Sequence, residues 1–388
     1  MKTEQSIEKL QQLTSNYSES EKLLAKRAYD TLYSNIISPE GDIIDFVFGS
    51  YRGIVPSPRT YKGVWNWDAA FHLIGMSRFD TETAKDQARI MFKYQLPNGQ
   101  LPDVVYSNGN MVTKFTKPPV FAWAIACGNK IDDDADFLTY AYPYLLKNLT
   151  WWETERYDGL LFSYKVHAME SGWDNSVRFD YPNKVYNLYA IDCNCFMVSF
   201  YDSMKYMAGR LGFDGDAEQF ELKRKELASK INERLYDKDL NAYCDYNRKR
   251  KTFTKQLSPA SFLPLFFGIA DKEKAEKMKD LASDKKYFYN GIPTISYNNR
   301  KFKSGAYWRG PCWLNTAYFV IRGLYNYGYK PLAAELSDNI LGWCAKNDDF
   351  IYEYYDSISG QGLGAKDFSW SSVFIIELLQ LRHNITDF

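Results

Sequence analysis

No charge of either sign dominates this chain: 48 Lys and Arg stand against 48 Asp and Glu, a formal net charge of zero over 388 residues. That balance excludes the broad basic footprint of a nucleic-acid-binding surface, and no Lys/Arg run supplies a polybasic membrane patch. Long hydrophobic runs are missing as well. No stretch of about 18 uninterrupted apolar residues occurs, so no membrane span is expected. The N-terminal MKTEQSIEKLQQL has no apolar signal-peptide core. Cysteine is sparse: Cys127, Cys193, Cys195, Cys244, Cys312 and Cys344 include no C-x-x-C pair. Cys193 and Cys195 lie in an apolar run, which reads as helix packing rather than chelation. The expectation is a protein of a reducing compartment, placed in the cytoplasm. Neither a metal nor a cofactor is expected. G-x-S-x-G, Walker A and zinc spacings are all absent. Gly360-Gln-Gly362-Leu-Gly364 resembles a phosphate loop without the βαβ context that would support one. Asp132, Asp134 and Asp136 have calcium-loop spacing but lack the required Gly and bidentate Glu, so they read as an acidic helix start.

What is abundant is aromatic side chain: 31 Tyr, 25 Phe and 10 Trp. Most must serve a large core, but Tyr and Trp also join an apolar face to a polar tip and suit wet concave surfaces. Helical periodicity runs along the whole chain, and convincing alternating strands are few. It predicts helices at roughly 19–38, 65–79, 80–96, 118–129, 134–156, 190–211, 215–235, 258–268, 271–283, 311–327, 330–346 and 368–381. Connections after the odd-numbered helices are long (39–64, 97–117, 157–189, 236–257, 284–310, 347–367), and those after the even ones are short. Composition alternates in step. Odd helices such as TETAKDQARIMFKY carry one charged face, whereas even ones such as VFAWAIACG and FSWSSVFIIELL are apolar nearly all round. An amphipathic helix covers a core and an all-apolar one is buried. Six inner helices wrapped by six outer ones satisfy both patterns. The expected fold is therefore all-α: an (α/α)6 barrel of six helical hairpins, one domain over 1–388, with every long loop at one end. An irregular helical solenoid is the competing arrangement. Long loops on a rigid scaffold are where function usually sits.

Those loops carry the chemistry. Gly63-Val-Trp65-Asn-Trp67-Asp68-Ala-Ala-Phe71-His72 opens an inner helix; Trp67 can stack on a sugar ring while Asp68 bonds its hydroxyls, or the two can simply pack and cap. Asn98, in Leu96-Pro97-Asn98-Gly99-Gln100-Leu-Pro102-Asp103, is a candidate contact, although Asn-Gly between prolines is turn chemistry. Glu170-Ser-Gly172-Trp173-Asp174-Asn175-Ser-Val-Arg178-Phe-Asp180 gathers three carboxylates, an Arg and a Trp in one loop. Tyr307-Trp308-Arg309-Gly310-Pro311-Cys-Trp313 leads into another inner helix, and Tyr352-Glu353-Tyr354-Tyr355 is followed by Phe368-Ser369-Trp370. Two carboxyl groups across a sugar pocket are the minimum apparatus for glycoside hydrolysis. Histidine is confined to His72, His167 and His383, which starves a His-metal site and a His-dependent sugar epimerase.

These segments, WNWDAAFH, ESGWDNSVR, YWRGPCW and YEYYDSISG with FSW, resemble the inverting α-glycosidases of glycoside hydrolase family 63 and its relatives, the trehalases. The resemblance covers most of the chain and implies an (α/α)6 barrel. It implies Asp174 as general acid and Glu353 as general base. Trp67, Asp68, Trp173, Trp308, Arg309, Gly310 and Trp370 would line the sugar site. Many relatives carry a further β-rich domain for which this chain has no room, so it looks more like short bacterial members, some acting on glucosides or mannosides of glycerate. The implied reaction removes the terminal sugar of a short α-glucoside or α-mannoside by single displacement, with the carboxyls roughly 6.5–9.5 Å apart. Asp174 would need a raised pKa from burial or from Glu170 or Asp180. Arg178 is expected to face the substrate, and with Arg309 it could grip a carboxylate aglycone. A non-hydrolytic sugar-binding barrel is the alternative. The expected partner is a small carbohydrate, without nucleic acid or membrane; the oligomeric state is open.

Overall fold

A computed structural model describes residues 2–37 and 47–386. An N-terminal helix α1 (Glu4–Leu13) precedes the first outer helix, α2 (Glu19–Ser34). Inner and outer helices then alternate: α3 (Asn66–Ser77), α4 (Thr81–Lys93), α5 (Phe121–Asp132), α6 (Ala135–Glu155), α7 (Ile191–Arg210), α8 (Asp214–Arg234), α9 (Leu263–Phe266), α10 (Lys272–Ser283), α11 (Leu314–Asn326), α12 (Lys330–Lys346) and α13 (Ser369–Arg382). The inner helices form a closed ring, each touching the next in the order α3, α5, α7, α9, α11, α13 and back to α3. This is an (α/α)6 barrel.

Polarity explains which helix goes where. Every residue of α3 is buried, as is α13 from Ser369 to Leu381. The outer helix α8 buries only Phe220, Leu227 and Ile231, three anchors worth roughly 1.5–3 kcal/mol each. Small residues let the inner ring close. A Cβ on Gly75 of α3 would stand 2.6 Å from Val373 of α13, so only glycine permits that approach. One ion pair bridges the inner ring: Arg78 at the end of α3 donates to both carboxylate oxygens of Glu377 on α13, at 2.7 and 3.1 Å. Asp134 caps α6 and pairs with Lys85, a helix start rather than a calcium loop. None of the described helices is long and apolar enough to cross a membrane.

The structure departs from the periodicity in two helices. The expected helices include none over α1, although its apolar Ile7, Leu10 and Leu13 recur at helical spacing; its buried residues are only Ser6 and Leu10, and it is held by a Thr3–Ser6 capping box. The fourth inner helix, expected over 258–268, is a 3-10 turn (Pro259–Phe262) followed by the single α-turn α9. Pro264 has no N–H to give, and Gly268 at φ +64 turns the chain away. The last residue of the helix expected at 19–38, and positions 39–46 of the following loop, lie outside the described residues.

The loops that enter the inner helices all reach the same end of the barrel. Short antiparallel sheets run through these loops, and two of them border the site described below: β1 (Gly63–Trp65), β2 (Val104–Tyr106) and β3 (Met111–Val112), and the hairpin β4 (Tyr352–Tyr355) with β5 (Gly362–Lys366).

Candidate active site

At the loop end lies a cavity of about 340 Å³. Its walls are aromatic. Trp308 and Trp313 are stacked at 3.9 Å, Trp313 continues onto Tyr354 at 4.8 Å, and Trp67 meets Trp370 edge-on at 5.1 Å. Gly172, at φ +76, lies directly against the Trp67 ring; a Cβ there would stand 2.4 Å from it, so this loop passes the indole only as glycine. The buried indole Nε1 atoms of Trp308 and Trp370 have no hydrogen-bond partner among the described residues.

Four carboxyl groups open onto this space: Asp68, Asp103, Asp174 and Glu353. Asp68 begins α3 and is wholly buried, which pushes its pKa up to about 8; Lys117 opposes the shift, while Asp103 and Glu353 add to it. Asp174 projects from the loop before α7. Burial raises its pKa first, Lys117 pulls it back, and the neighbouring charge of Asp103 raises it again. Its buried Oδ1 accepts no hydrogen bond among the described residues. Glu353 is held differently. Its Oε1 accepts from the Tyr61 hydroxyl at 3.0 Å and its Oε2 from the Ala365 N–H at 2.8 Å. Burial raises its pKa, those two donors lower it, and the charge of Asp174 raises it again. The donor strand β5 can lie so close because Gly364, at φ +76, has no Cβ; one would fall 2.5 Å from Glu353 Oε2. The glycines of 360–364 therefore build a hairpin around a carboxylate, not a phosphate loop.

Of the residues expected from the sequence, Trp67, Asp68, Asp174, Trp308, Glu353 and Trp370 line this one cavity. Five others do not, and those expectations are corrected. Asn98 is exposed and turns back to accept from the Gln100 N–H at 3.0 Å. Trp173 is buried behind the wall, between Trp308 and the Arg178 guanidinium. Arg178 is sealed from solvent: its Nε and Nη2 bond the two oxygens of Asp245 at 2.9 and 2.8 Å, and Nη2 also bonds Asp192 at 2.6 Å. Arg309 forks onto Asp180 at 3.1 and 2.7 Å and donates to the Asn175 carbonyl. Gly310 is a shape residue: at φ +157 it presses on the backbone of Lys303, where a Cβ would sit 2.3 Å from its carbonyl oxygen. Nor do Glu170 and Asp180 elevate Asp174. Glu170 binds Arg156 and two backbone N–H groups, Asp180 is neutralised by Arg309 and Lys301, and Asp103 is the carboxylate that acts.

Sequence reasoning missed Tyr61, Asp103, Lys117 and Tyr307. Lys117 is the one cation among the described lining residues. Its Nζ donates to the Met169 carbonyl at 2.7 Å and stands 3.3 Å from Asp103 Oδ1 and 3.9 Å from Asp174 Oδ1. The available hint was its place before Pro118-Pro119 at the entrance to an inner helix, the position equivalent to the Trp-rich start of α3. Tyr307 has φ +46, a strained conformation for an aromatic residue. Its buried hydroxyl has its pKa raised by burial and by Asp174, Glu353 and Tyr61, so it is neutral and able to donate.

The model of the mannosylglycerate hydrolase MGH1-like glycoside hydrolase domain matches residues 61–371. Curated mannosylglycerate hydrolases are similar over most of the chain. The protein from Rubrobacter radiotolerans is 24% identical, covering 89% of this chain and 97% of its own. That from Thermus thermophilus is 26% identical, covering 83% and 95%. In fold, the chain superposes on a crystal structure of the glycoside hydrolase family 63 mannosylglycerate hydrolase from Thermus thermophilus in complex with glucose. That match has a TM-score of 0.78 and 24% identity, over 91% of this chain and 99% of the other.

Proposed function

The chain belongs to the mannosylglycerate hydrolase MGH1-like glycoside hydrolase family, and from its cavity we propose that it removes the terminal sugar of a short α-glycoside with an acidic aglycone, mannosylglycerate being the narrowest reading. It is a glycoside hydrolase of the family 63 type; the substrate, the roles of the carboxyls and the stereochemistry are what we propose. We also propose that residues 1–388 act as one catalytic domain.

One observation carries the assignment of roles: Asp174 and Glu353 face the same aromatic cavity in opposite hydrogen-bonding environments. Glu353 has a donor on each oxygen, which favours its ionised form. Asp174 has a bare Oδ1 beside Asp103, which favours its proton. The charge of Asp174 raises the pKa of Glu353, so the pair resists double ionisation. The preferred state is one acid and one base. Asp174 then protonates the glycosidic oxygen as Glu353 takes a proton from the attacking water on the opposite face. The Trp67, Trp308 and Trp370 rings hold the sugar face, and Asp68, protonated near neutral pH, donates to a sugar hydroxyl.

The general acid stands on the leaving-group side, so Lys117, 3.9 Å from Asp174, stands there too. A cation at that place favours an aglycone bearing a carboxylate, a role that the paired Arg178 and Arg309 cannot fill. A cavity of about 340 Å³ accommodates one sugar and a small aglycone.

The test is a rate comparison among α-mannosylglycerate, α-glucosylglycerate, trehalose and a long α-glucan. We expect a glycerate conjugate to be hydrolysed fastest, and NMR before mutarotation to show the β-sugar released first. Faster cleavage inside the glucan would overturn the closed pocket. Initial release of the α-anomer would overturn the single-displacement roles.

A further inference from the structure

Tyr307 lines the loop-end cavity with Asp174 and Glu353, and its backbone is costly to hold. At φ +46 it stands in the left-handed region, where a bulky residue persists only if its surroundings over-determine it. Here they do. Tyr307 sits inside a tight turn in which the Arg309 N–H donates to the Ala306 carbonyl at 2.9 Å, and the Lys303 N–H donates to the Arg309 carbonyl at 2.9 Å. The Trp313 indole N–H donates to the Tyr307 carbonyl at 2.8 Å. The Tyr307 ring lies edge-on to Trp313 at 5.3 Å and to Tyr354 at 5.8 Å.

The same turn is stitched to the loop that carries Asp174. The Trp308 N–H donates to the Asn175 side-chain oxygen at 3.0 Å. Arg309 donates to the Asn175 carbonyl at 2.9 Å while it forks onto Asp180. The residue after Tyr307 is thus bonded to the residue after Asp174, and the two side chains meet: the Tyr307 hydroxyl lies in hydrogen-bonding reach of the Asp174 carboxyl. The Oδ1 of Asp174 accepts no bond among the described residues, so the oxygen left for Tyr307 is Oδ2. The Tyr61 hydroxyl is in reach of Tyr307 as well. Its own proton already goes to Glu353, and a carboxylate is a stronger acceptor than a hydroxyl.

We propose that Tyr307 is the positioning residue of the general acid: its O–H donates to Asp174 Oδ2, aims the bare Oδ1 at the glycosidic oxygen, and stabilises the carboxylate that remains when the proton has left. This role rests on the reading of Asp174 as the acid. As the bond from the anomeric carbon to the leaving oxygen breaks, its electron pair stays on that oxygen, which takes the Asp174 proton. Asp174 becomes an anion facing the Tyr307 O–H. A hydrogen bond to an ionised partner is roughly twice as strong as one between neutral groups. The contact therefore tightens along the reaction, and only an interaction stronger in the transition state than in the ground state speeds the chemical step.

The test compares Tyr307→Phe with the parent on two substrates of one sugar, its α-glycerate conjugate and its α-fluoride, since fluoride departs with little help from an acid. We expect kcat/KM to fall about 10–100-fold on the conjugate and to change little on the fluoride. Asp174 loses a donor to its charged form and must be protonated to act, so the alkaline limb of kcat/KM should move to higher pH. Lys117, Asp103 and His167 also bear on Asp174, and Glu353 shares the cavity; the substitution alters none of them. It removes one oxygen atom and keeps the ring, so the fold is retained. Equal losses on both substrates, or an unmoved alkaline limb, would overturn the proposal. Asp174→Asn on the same two substrates keeps the two readings apart. It should lose the conjugate and keep the fluoride, and that result beside equal losses in Tyr307→Phe overturns the role of Tyr307 alone. Loss of both substrates in Asp174→Asn would remove the acid and the role of Tyr307 with it.

Discussion

Lys117 holds its ammonium 3.9 Å from the Oδ1 of Asp174 and 3.3 Å from the Oδ1 of Asp103. The same cation thus lowers the pKa of Asp174, while Asp103 beyond it raises it. A general acid must be protonated to work, so activity is lost as pH rises through its pKa. Lys117→Met should therefore move the alkaline limb of kcat/KM to higher pH, and Asp103→Asn should move it to lower pH. Measuring both profiles on one substrate decides the matter, since shifts in the same direction would exclude this arrangement. Lys117→Met should also raise KM for a glycerate conjugate more than for a neutral glycoside.

Asp174→Asn and Glu353→Gln should each lower turnover roughly 100-fold or more, the usual contribution of a general acid or base. Both changes are nearly isosteric, so thermal unfolding should be little altered. Near-normal turnover in either folded variant removes that residue from its role.

Tyr61 supplies one of the two donors that favour ionised Glu353. In Tyr61→Phe the carboxyl becomes harder to ionise, and a base is active only when ionised. The acid limb of kcat/KM should move to higher pH while the alkaline limb stays in place. An unmoved acid limb would separate Glu353 from the base function.

Asp68 links the site to stability. Its folded-state pKa is raised from 3.8 to about 8, so between those values the folded chain keeps a proton that the unfolded chain has released. Its contribution to stability therefore falls as pH rises across that window. Asp68→Asn should lose less Tm than the parent between pH 5 and pH 8. An equal loss in both proteins would show that Asp68 is ionised in the folded state.

Arg178 should act on stability alone. Removing it leaves Asp192 and Asp245 buried without their cation, and breaking such a pair costs about 3–5 kcal/mol. Arg178→Ala should therefore lower Tm sharply, whereas Arg309→Ala, which opens a partly exposed pair with Asp180, should cost far less. A preserved Tm in Arg178→Ala with lost discrimination between charged and neutral aglycones would return that residue to the substrate.

How much of this was legible before the structure depended on the range of the interaction. Helix polarity is local: α3 and α13 are apolar on every side and α8 on almost none, so inner and outer positions, and with them the barrel and its loop-bearing end, were written in the chain. The aromatic and carboxylate residues next to the inner-helix starts were legible for the same reason, because an inner helix delivers its first residues to one common place. Electrostatic partnership is not local. Arg178 and Asp245 are distant in sequence, as are Lys117 and Asp174, and Tyr61 and Glu353, and nothing in a side chain's type says which opposite charge or donor the ring will bring to it. Two arginines expected in the pocket were thus already committed elsewhere, while a lysine hidden before two prolines stood in it. The short α9 belongs to the same class: its composition reads as helix, and only the packed ring shows the turns that are missing.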